Sequence, residues 1–149
     1  MSNNDCLAMD HEVLTETGWK ICMNLTYDDK IAVLHDIKKP TEISYEYPDE
    51  IIINEHVGPL YTLKGDNIDI SVTTNHRMLV SNTENANYEV RPAEKTIFKN
   101  VKYLNAKGEI IPKNKKETLT KHVGRVFGVK VPSEFYYVRR NGKEIWTSY

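Results

Sequence analysis

The stretch Phe135-Tyr136-Tyr137-Val138-Arg139-Arg140-Asn141-Gly142-Lys143-Glu144-Ile145-Trp146 places two β-favouring runs around an Asn-Gly pair. Asn-Gly readily supplies two positive φ angles, so the segment predicts a tight hairpin. Outward from it, the dominant period stays at two rather than 3.6. Tyr61-Thr62-Leu63-Lys64 and Ile68-Asp69-Ile70-Ser71-Val72 alternate, and Val126-Phe127-Gly128-Val129-Lys130-Val131 follows roughly the same pattern. Met78-Leu79-Val80 is a short continuous run suited to a strand buried on both faces. Turn signals at Thr17-Gly18, Gly58-Pro59, Gly65-Asp66-Asn67 and Lys107-Gly108 separate the runs, and no long amphipathic helix stands out. The expectation is an all-β body.

Composition limits the class without identifying the chemistry. The chain has 149 residues, enough for one core and too few for two. Twenty Lys+Arg against twenty-one Asp+Glu leave no net field toward nucleic acid or an anionic membrane. The apolar runs are far shorter than a membrane-spanning helix requires. Met1-Ser2-Asn3-Asn4-Asp5 lacks the pattern of a signal peptide, and Cys6 and Cys22 alone make no disulfide scaffold, so an intracellular setting is expected. From Ser81 to Lys121 the pattern weakens and lysines collect near Pro112-Lys113-Asn114-Lys115-Lys116. That reads as a solvated surface excursion, since Glu109 and Glu117 flank the lysines and no aromatic platform interleaves them. Spacing alone proves no internal repeat.

Three segments carry chemistry. Cys6 opens Cys6-Leu7-Ala8-Met9-Asp10-His11. Thr73-Thr74-Asn75-His76 follows a strand-like run, setting a Thr and a His three apart at its end. A thiol with a pKa of about 8.5 is mostly protonated at neutral pH and needs help to attack a carbonyl. A histidine can move the proton, and a hydroxyl can steady the oxyanion. The third segment runs from Gly124 to Lys143.

In this order and at these distances from the two ends, the segments resemble the splicing blocks of inteins, members of the Hint superfamily shared with hedgehog autoprocessing and bacterial intein-like domains. The likeness spans Cys6 to Tyr149, and the tail Phe135 to Thr147 is similar to inteins of large DNA viruses. It implies a flattened, pseudo-twofold, horseshoe-shaped all-β domain over residues 6–149, with residues 1–5 as remnant or stand-in of an upstream host segment. Residues 85–121 would be a short insert where many inteins carry a homing endonuclease, giving a mini-intein. The resemblance also implies the roles. Cys6 is the nucleophile, Asp5–Cys6 the scissile bond, His76 the group that contacts and protonates the Cys6 nitrogen, and Thr73 the donor to the Asp5 carbonyl oxygen. Thr74 and Asn75 are secondary contacts.

Departures matter as much. Gly128 stands where inteins commonly carry an Asp, and a later His would fall near Ser133 or Glu134. Ser148-Tyr149 occupies the usual His-Asn ending, and a phenol ring cannot perform the Asn cyclisation that frees the downstream segment. Asp10 and Asp29 are expected to serve structural hydrogen bonds, and Cys22 a buried position. His11, His35, His56 and His122 show no partner pattern or metal-ligand spacing, so no metal and no cofactor are expected. Partners are the flanking host segments in cis, with no nucleic acid or membrane, and the domain is expected to be a monomer. Two alternatives stay open. One is a Hint domain that only cleaves upstream; the other is a non-catalytic β-rich binding module, for which Tyr45, Tyr47 and Tyr61 would be candidate contacts.

Overall fold

A computed structural model describes residues 5–82, 87–113 and 116–149. Fourteen strands are assigned among them: β1 (Leu7–Ala8), β2 (Glu12–Thr15), β3 (Gly18–Ile21), β4 (Ile31–Leu34), β5 (Ile43–Glu46), β6 (Glu50–Lys64), β7 (Asp69–Thr73), β8 (Arg77–Asn82), β9 (Glu89–Pro92), β10 (Val101–Leu104), β11 (Ile110–Pro112), β12 (Lys116–Lys130), β13 (Phe135–Arg140) and β14 (Lys143–Ser148). Two short 3-10 turns, Cys22–Asn24 and Ala93–Thr96, are the helical elements among the described residues. No helix there is long and apolar enough to cross a membrane.

The strands form a small closed barrel, β1-β12-β6-β7, and a larger curled sheet in the order β11-β10-β8-β14-β13-β2-β4-β5, with β3 on β2 and β9 on β8. Its spine is the antiparallel pair β6 and β12, each 15 residues long, joined in unbroken register from Glu50↔Lys130 to Lys64↔Lys116. Strands of about 50 Å at 3.3 Å per residue outrun a domain of this size. They must therefore curl and serve different parts of the core at their two ends. Leu60–Leu63 and Val126–Val129 are buried, whereas Val57 and Val123, directly opposite each other at the middle, are exposed.

This ribbon contains a repeat that spacing did not reveal. His56-Val57-Gly58-x-x-Tyr61-x-Leu63-Lys64 matches His122-Val123-Gly124-x-x-Phe127-x-Val129-Lys130. The two copies face each other about a local twofold: Gly58 pairs with His122, and Gly124 with His56. Gly58 and Gly124 take φ of 152° and 149°, and the two imidazoles stack at 6.3 Å. The expected pseudo-twofold relation is thus visible in the β6–β12 pair.

The expected hairpin is present as β13–β14, with Asn141 at φ 52° and Gly142 at φ 78°. Its core face carries Tyr137 against Trp146 at 4.6 Å. The surface excursion is not what forms. Residues 89–112 build β9, β10 and β11, whose Val101, Tyr103, Leu104 and Ile111 enter the core, and residues 116–121 begin β12. Lys113 is buried rather than solvated, donating to the Thr96 carbonyl and to Glu117 Oε2 at 2.8 Å. The polar composition hid these strands because their apolar positions are few and the rest faces water. Residues 83–86 and 114–115 of that region lie outside the described residues.

Candidate active site

Cys6 sits immediately before β1, and β1 is held on both sides. Leu7 pairs with Phe127 of β12 and with Val72 of β7, and the Thr73 N–H donates to the Cys6 carbonyl at 2.9 Å. A two-residue strand paired on both sides leaves the peptide around Cys6 little freedom. Asp5 and Cys6 are 5% and 1% exposed, so the bond between them lies inside the protein.

Gly128 explains how the bond fits. A Cβ at that position would lie 2.9 Å from the Asp5 carbonyl oxygen and 3.6 Å from Cys6 Sγ. The missing side chain is therefore the space into which the carbonyl packs, and an aspartate could not stand there without displacing it. The thiol has a polar neighbour on the paired strand: Asn54 Nδ2 lies 4.0 Å from Sγ. Burial pushes the thiol up to about 11, the Asp5 charge adds to the rise, and the Asn54 N–H opposes it.

Thr73, at the end of β7, meets the main chain of Cys6 on both its sides. Its hydroxyl accepts from the Cys6 N–H at 3.1 Å and donates to the Cys6 carbonyl at 3.2 Å. His76 follows on the turn closed by its own N–H to the Thr73 carbonyl at 3.0 Å. The Cys6 nitrogen is thus met by Thr73 rather than by the imidazole. His76 is fully buried, with Nε2 2.7 Å from Thr147 Oγ1 and Nδ1 2.8 Å from Asp5 Oδ1, the latter off the hydrogen-bond line. Thr74 is half-buried and Asn75 exposed, and neither side chain bonds to Cys6 among the described residues.

The Asp5 carboxylate is gripped from a second side. Arg77 donates through its backbone N–H to Oδ1 at 2.7 Å and through Nε to Oδ2 at 2.8 Å. Burial pushes the Asp5 carboxyl up, but the His76 contact and the Arg77 donors outweigh it and hold the group below the ordinary carboxylate range.

The end of β14 reaches the same place because Thr147 pairs with Met78 of β8. The Arg77 guanidinium donates to the main-chain oxygen of Tyr149 as well as to Asp5. Ser148 donates to Glu134 Oε2 at 3.0 Å, and the Tyr149 N–H to the Glu134 carbonyl at 3.2 Å. Glu134 takes a left-handed φ of 75°, uncommon for this residue type and found where a turn must aim a side chain. Cys6, Thr73, His76, Ser148 and Tyr149 therefore converge.

Sequence reasoning did not anticipate Arg77, Thr147, Asn54 or Glu134 in this cluster. Arg77 was the one with a signal, being a cation next to His76. The residues expected to be structural behave so. Asp29 bonds Lys20 at 2.7 Å, Asp10 bonds Arg140 at 3.0 Å, and Cys22 is buried. His11 is buried, bonds the Ala8 carbonyl at 2.9 Å, and is pushed down to about 4 by that burial. Tyr61 is buried, while Tyr45 and Tyr47 are exposed.

No family model matches the chain. Among solved structures, the chain aligns with a splice-inactive variant of the AceL NrdHF class 3 split intein at a TM-score of 0.79 and 20% identity, over 97% of both chains. The bacterial intein-like domain from Clostridium thermocellum gives 0.75 and 20%, over 97% and 98%. The KlbA intein precursor from Methanococcus jannaschii gives 0.73 and 13%, over 96% and 90%. These likenesses define the class: the chain is an all-β domain of the Hint fold. More particularly, it has the intein fold at mini-intein size. Among curated proteins, it is 40% identical over 104 residues to the ATP-dependent Clp protease proteolytic subunit of Chlamydomonas moewusii, a match covering 68% of this chain and 10% of that protein. It is 36% identical over 104 residues to the DNA-directed RNA polymerase subunit beta C-terminal section of Stigeoclonium helveticum, covering 66% and 9%. The chain thus spans about a tenth of the length of the curated relatives it matches. The similarity to inteins of large DNA viruses stays an expectation from sequence.

Proposed function

We propose that this domain is an autocatalytic protein-splicing element that acts once on its own backbone, with Cys6 as nucleophile and the Asp5 carbonyl carbon as its target. In this reading Sγ bonds to that carbon, the Asp5–Cys6 C–N bond breaks, and the thiol proton ends on the Cys6 nitrogen, leaving a thioester and a free amine. The observation that carries it is the packing at Gly128, where the scissile oxygen and the sulfur share one Cβ-sized space. A thiol beside a carbonyl it does not have to search for is the arrangement that lowers such a barrier. Thr73, bonded to the Cys6 N–H and carbonyl, fixes the plane of the leaving nitrogen.

His76 is the proton carrier in this reading. Its imidazole lies beside Asp5 in the resting arrangement and has to leave that carboxylate to reach the Cys6 nitrogen. At the other junction, Tyr149 stands where inteins carry the cyclising Asn, and it cannot perform that step. The chain is thus proposed to halt at the thioester, and residues 1–5 to represent an upstream flank in cis. The matches to segments of two much longer proteins support a domain inserted in a host chain. The same Tyr149 favours, as a second reading, an upstream-cleaving Hint domain whose thioester is taken by water.

The test fuses a reporter before Cys6 and follows intact mass with and without an added thiol. Thiol-dependent release that disappears in Cys6→Ala supports thioester formation. Release without thiol, lost in the same variant, supports the hydrolytic reading. Silence in both, persisting after Tyr149→Asn with a downstream Cys segment, overturns self-processing.

A further inference from the structure

The donors around Asp5 form a site in their own right. The side chain of the residue preceding the proposed nucleophile is buried, two donors of Arg77 bond its two oxygens, and the His76 imidazole stands beside them. Arg77 gives Oδ1 its backbone N–H at 2.7 Å and Oδ2 its Nε at 2.8 Å, while His76 Nδ1 stands 2.8 Å from Oδ1. A planar guanidinium together with a main-chain N–H addresses both oxygens of one carboxylate and offers no acceptor to an amide or an amine. Nδ1 of the wholly buried His76 makes no well-formed hydrogen bond, and the charge it faces is the Asp5 carboxylate 2.8 Å away, which an upstream residue without a carboxylate would remove. The backbone donor is fixed by β8, where Arg77 pairs with Pro92 and the next residue, Met78, with Thr147 of β14.

We infer that Arg77 and His76 form a carboxylate-selective subsite for the side chain of the upstream flanking residue, and that its occupation holds the peptide bond in its resting state. The inference rests on the self-processing reading for its consequence, though not for the subsite itself. With an acidic residue at position 5, His76 is engaged away from the Cys6 nitrogen. Interactions present in the ground state and given up on the way to the transition state slow the reaction. The substrate class is therefore an upstream segment ending in Asp, processed slowly and held stable until then. Arg77 is a positioning residue in this scheme, since it touches the acyl residue's side chain and not the reacting atoms.

The experiment has two arms. In a Cys6→Ala background, which cannot cleave, thermal unfolding is measured for Asp5→Asn, Arg77→Gln and the double variant. Each single change is expected to lower Tm by about 3 °C or more, the double no further than the larger single. In the cleaving protein, Asp5→Asn is expected to speed thiol-induced release about tenfold, and only about twofold when Arg77 is already Gln. Additive Tm losses overturn the subsite even if the chain never cleaves. Cleavage that is indifferent to residue 5, beside a clear Tm coupling, overturns the resting-state role. Absence of cleavage in every variant, with the coupling intact, counts against self-processing and leaves the subsite standing.

Discussion

His76 Nε2 lies 2.7 Å from the hydroxyl of Thr147, two fully buried groups brought together from the β7–β8 turn and the end of β14. This contact joins the segment carrying the proposed proton carrier to the segment carrying the proposed second junction. Val is nearly the shape of Thr but has no hydroxyl, so Thr147→Val leaves Nε2 buried without its partner. The expected cost is about 1–3 kcal/mol. Unfolding by denaturant and reporter release should both show it, with lower stability and slower release, while Thr147→Ser restores most of each. Equal stability and equal rates in Thr147→Val would mean that the contact holds nothing in place.

Gly128 offers a test of the packing around the bond itself. Gly128→Ala puts a methyl 2.9 Å from the Asp5 carbonyl oxygen, closer than such contacts tolerate, and the group in the way is backbone. The carbonyl has to shift, and a misplacement of about 1 Å at a reacting centre costs about a hundredfold in rate. The expected outcome is a folded protein whose circular dichroism is unchanged and whose thiol-dependent release is lost or nearly so. Unimpaired release in a folded Gly128→Ala protein would show that the carbonyl does not react from this position.

The fold was legible where the pattern was local. Asn141-Gly142 gave the hairpin directly because its turn is local, and the alternation marked β7 even though its polar positions Asp69, Ser71 and Thr73 are buried along with its apolar ones. The site was legible only as a set, since Cys6, Thr73 and His76 are far apart in sequence and no spacing rule joins them. The missed features share a physical cause. Residues 89–112 carry charge on their outer faces and few apolar anchors, so β9 to β11 resembled a loop. Arg77, Thr147 and Asn54 owe their places to strand register, which brings β8, β14 and β6 to Cys6 and which no single segment encodes. The His-Val-Gly repeat was readable in principle, but the surrounding residues differ enough that period alone did not expose it.

The thiol predicts the pH behaviour. With the group pushed up to about 11 by burial and by the Asp5 charge, the thiolate is scarce near neutrality and grows about tenfold per pH unit below that value. Release is therefore expected to rise with pH, with a slope near +1 in log rate between about pH 7 and 9. Asn54→Ala removes the opposing N–H, raises the thiol further and lowers the rate throughout that window. The folded-state value lies above the unfolded one, so this group's contribution to stability is full below about 9 and is lost as pH rises toward about 11. A rate that is flat from pH 7 to 9, or unmoved by Asn54→Ala, would remove the thiolate from the rate-limiting step.

The paired glycines of the β6–β12 ribbon should behave as equivalents. Gly58 and Gly124 occupy φ of 152° and 149°, which side-chain-bearing residues rarely adopt, and each lies opposite the histidine of the other copy. A Cβ at either would lie 3.5 Å from its own copy's imidazole, ordinary contact, so the penalty comes from backbone strain rather than crowding. Gly58→Ala and Gly124→Ala are each expected to cost about 1–3 kcal/mol, by similar amounts. Because the two positions flank a single pair of stacked rings, relaxation around one is shared by the other, and the double variant should cost less than the two losses added. Denaturant midpoints for the four proteins decide it. Strictly additive losses would make the two sites independent, and a loss at only one of them would show that the local twofold ends at the sequence match.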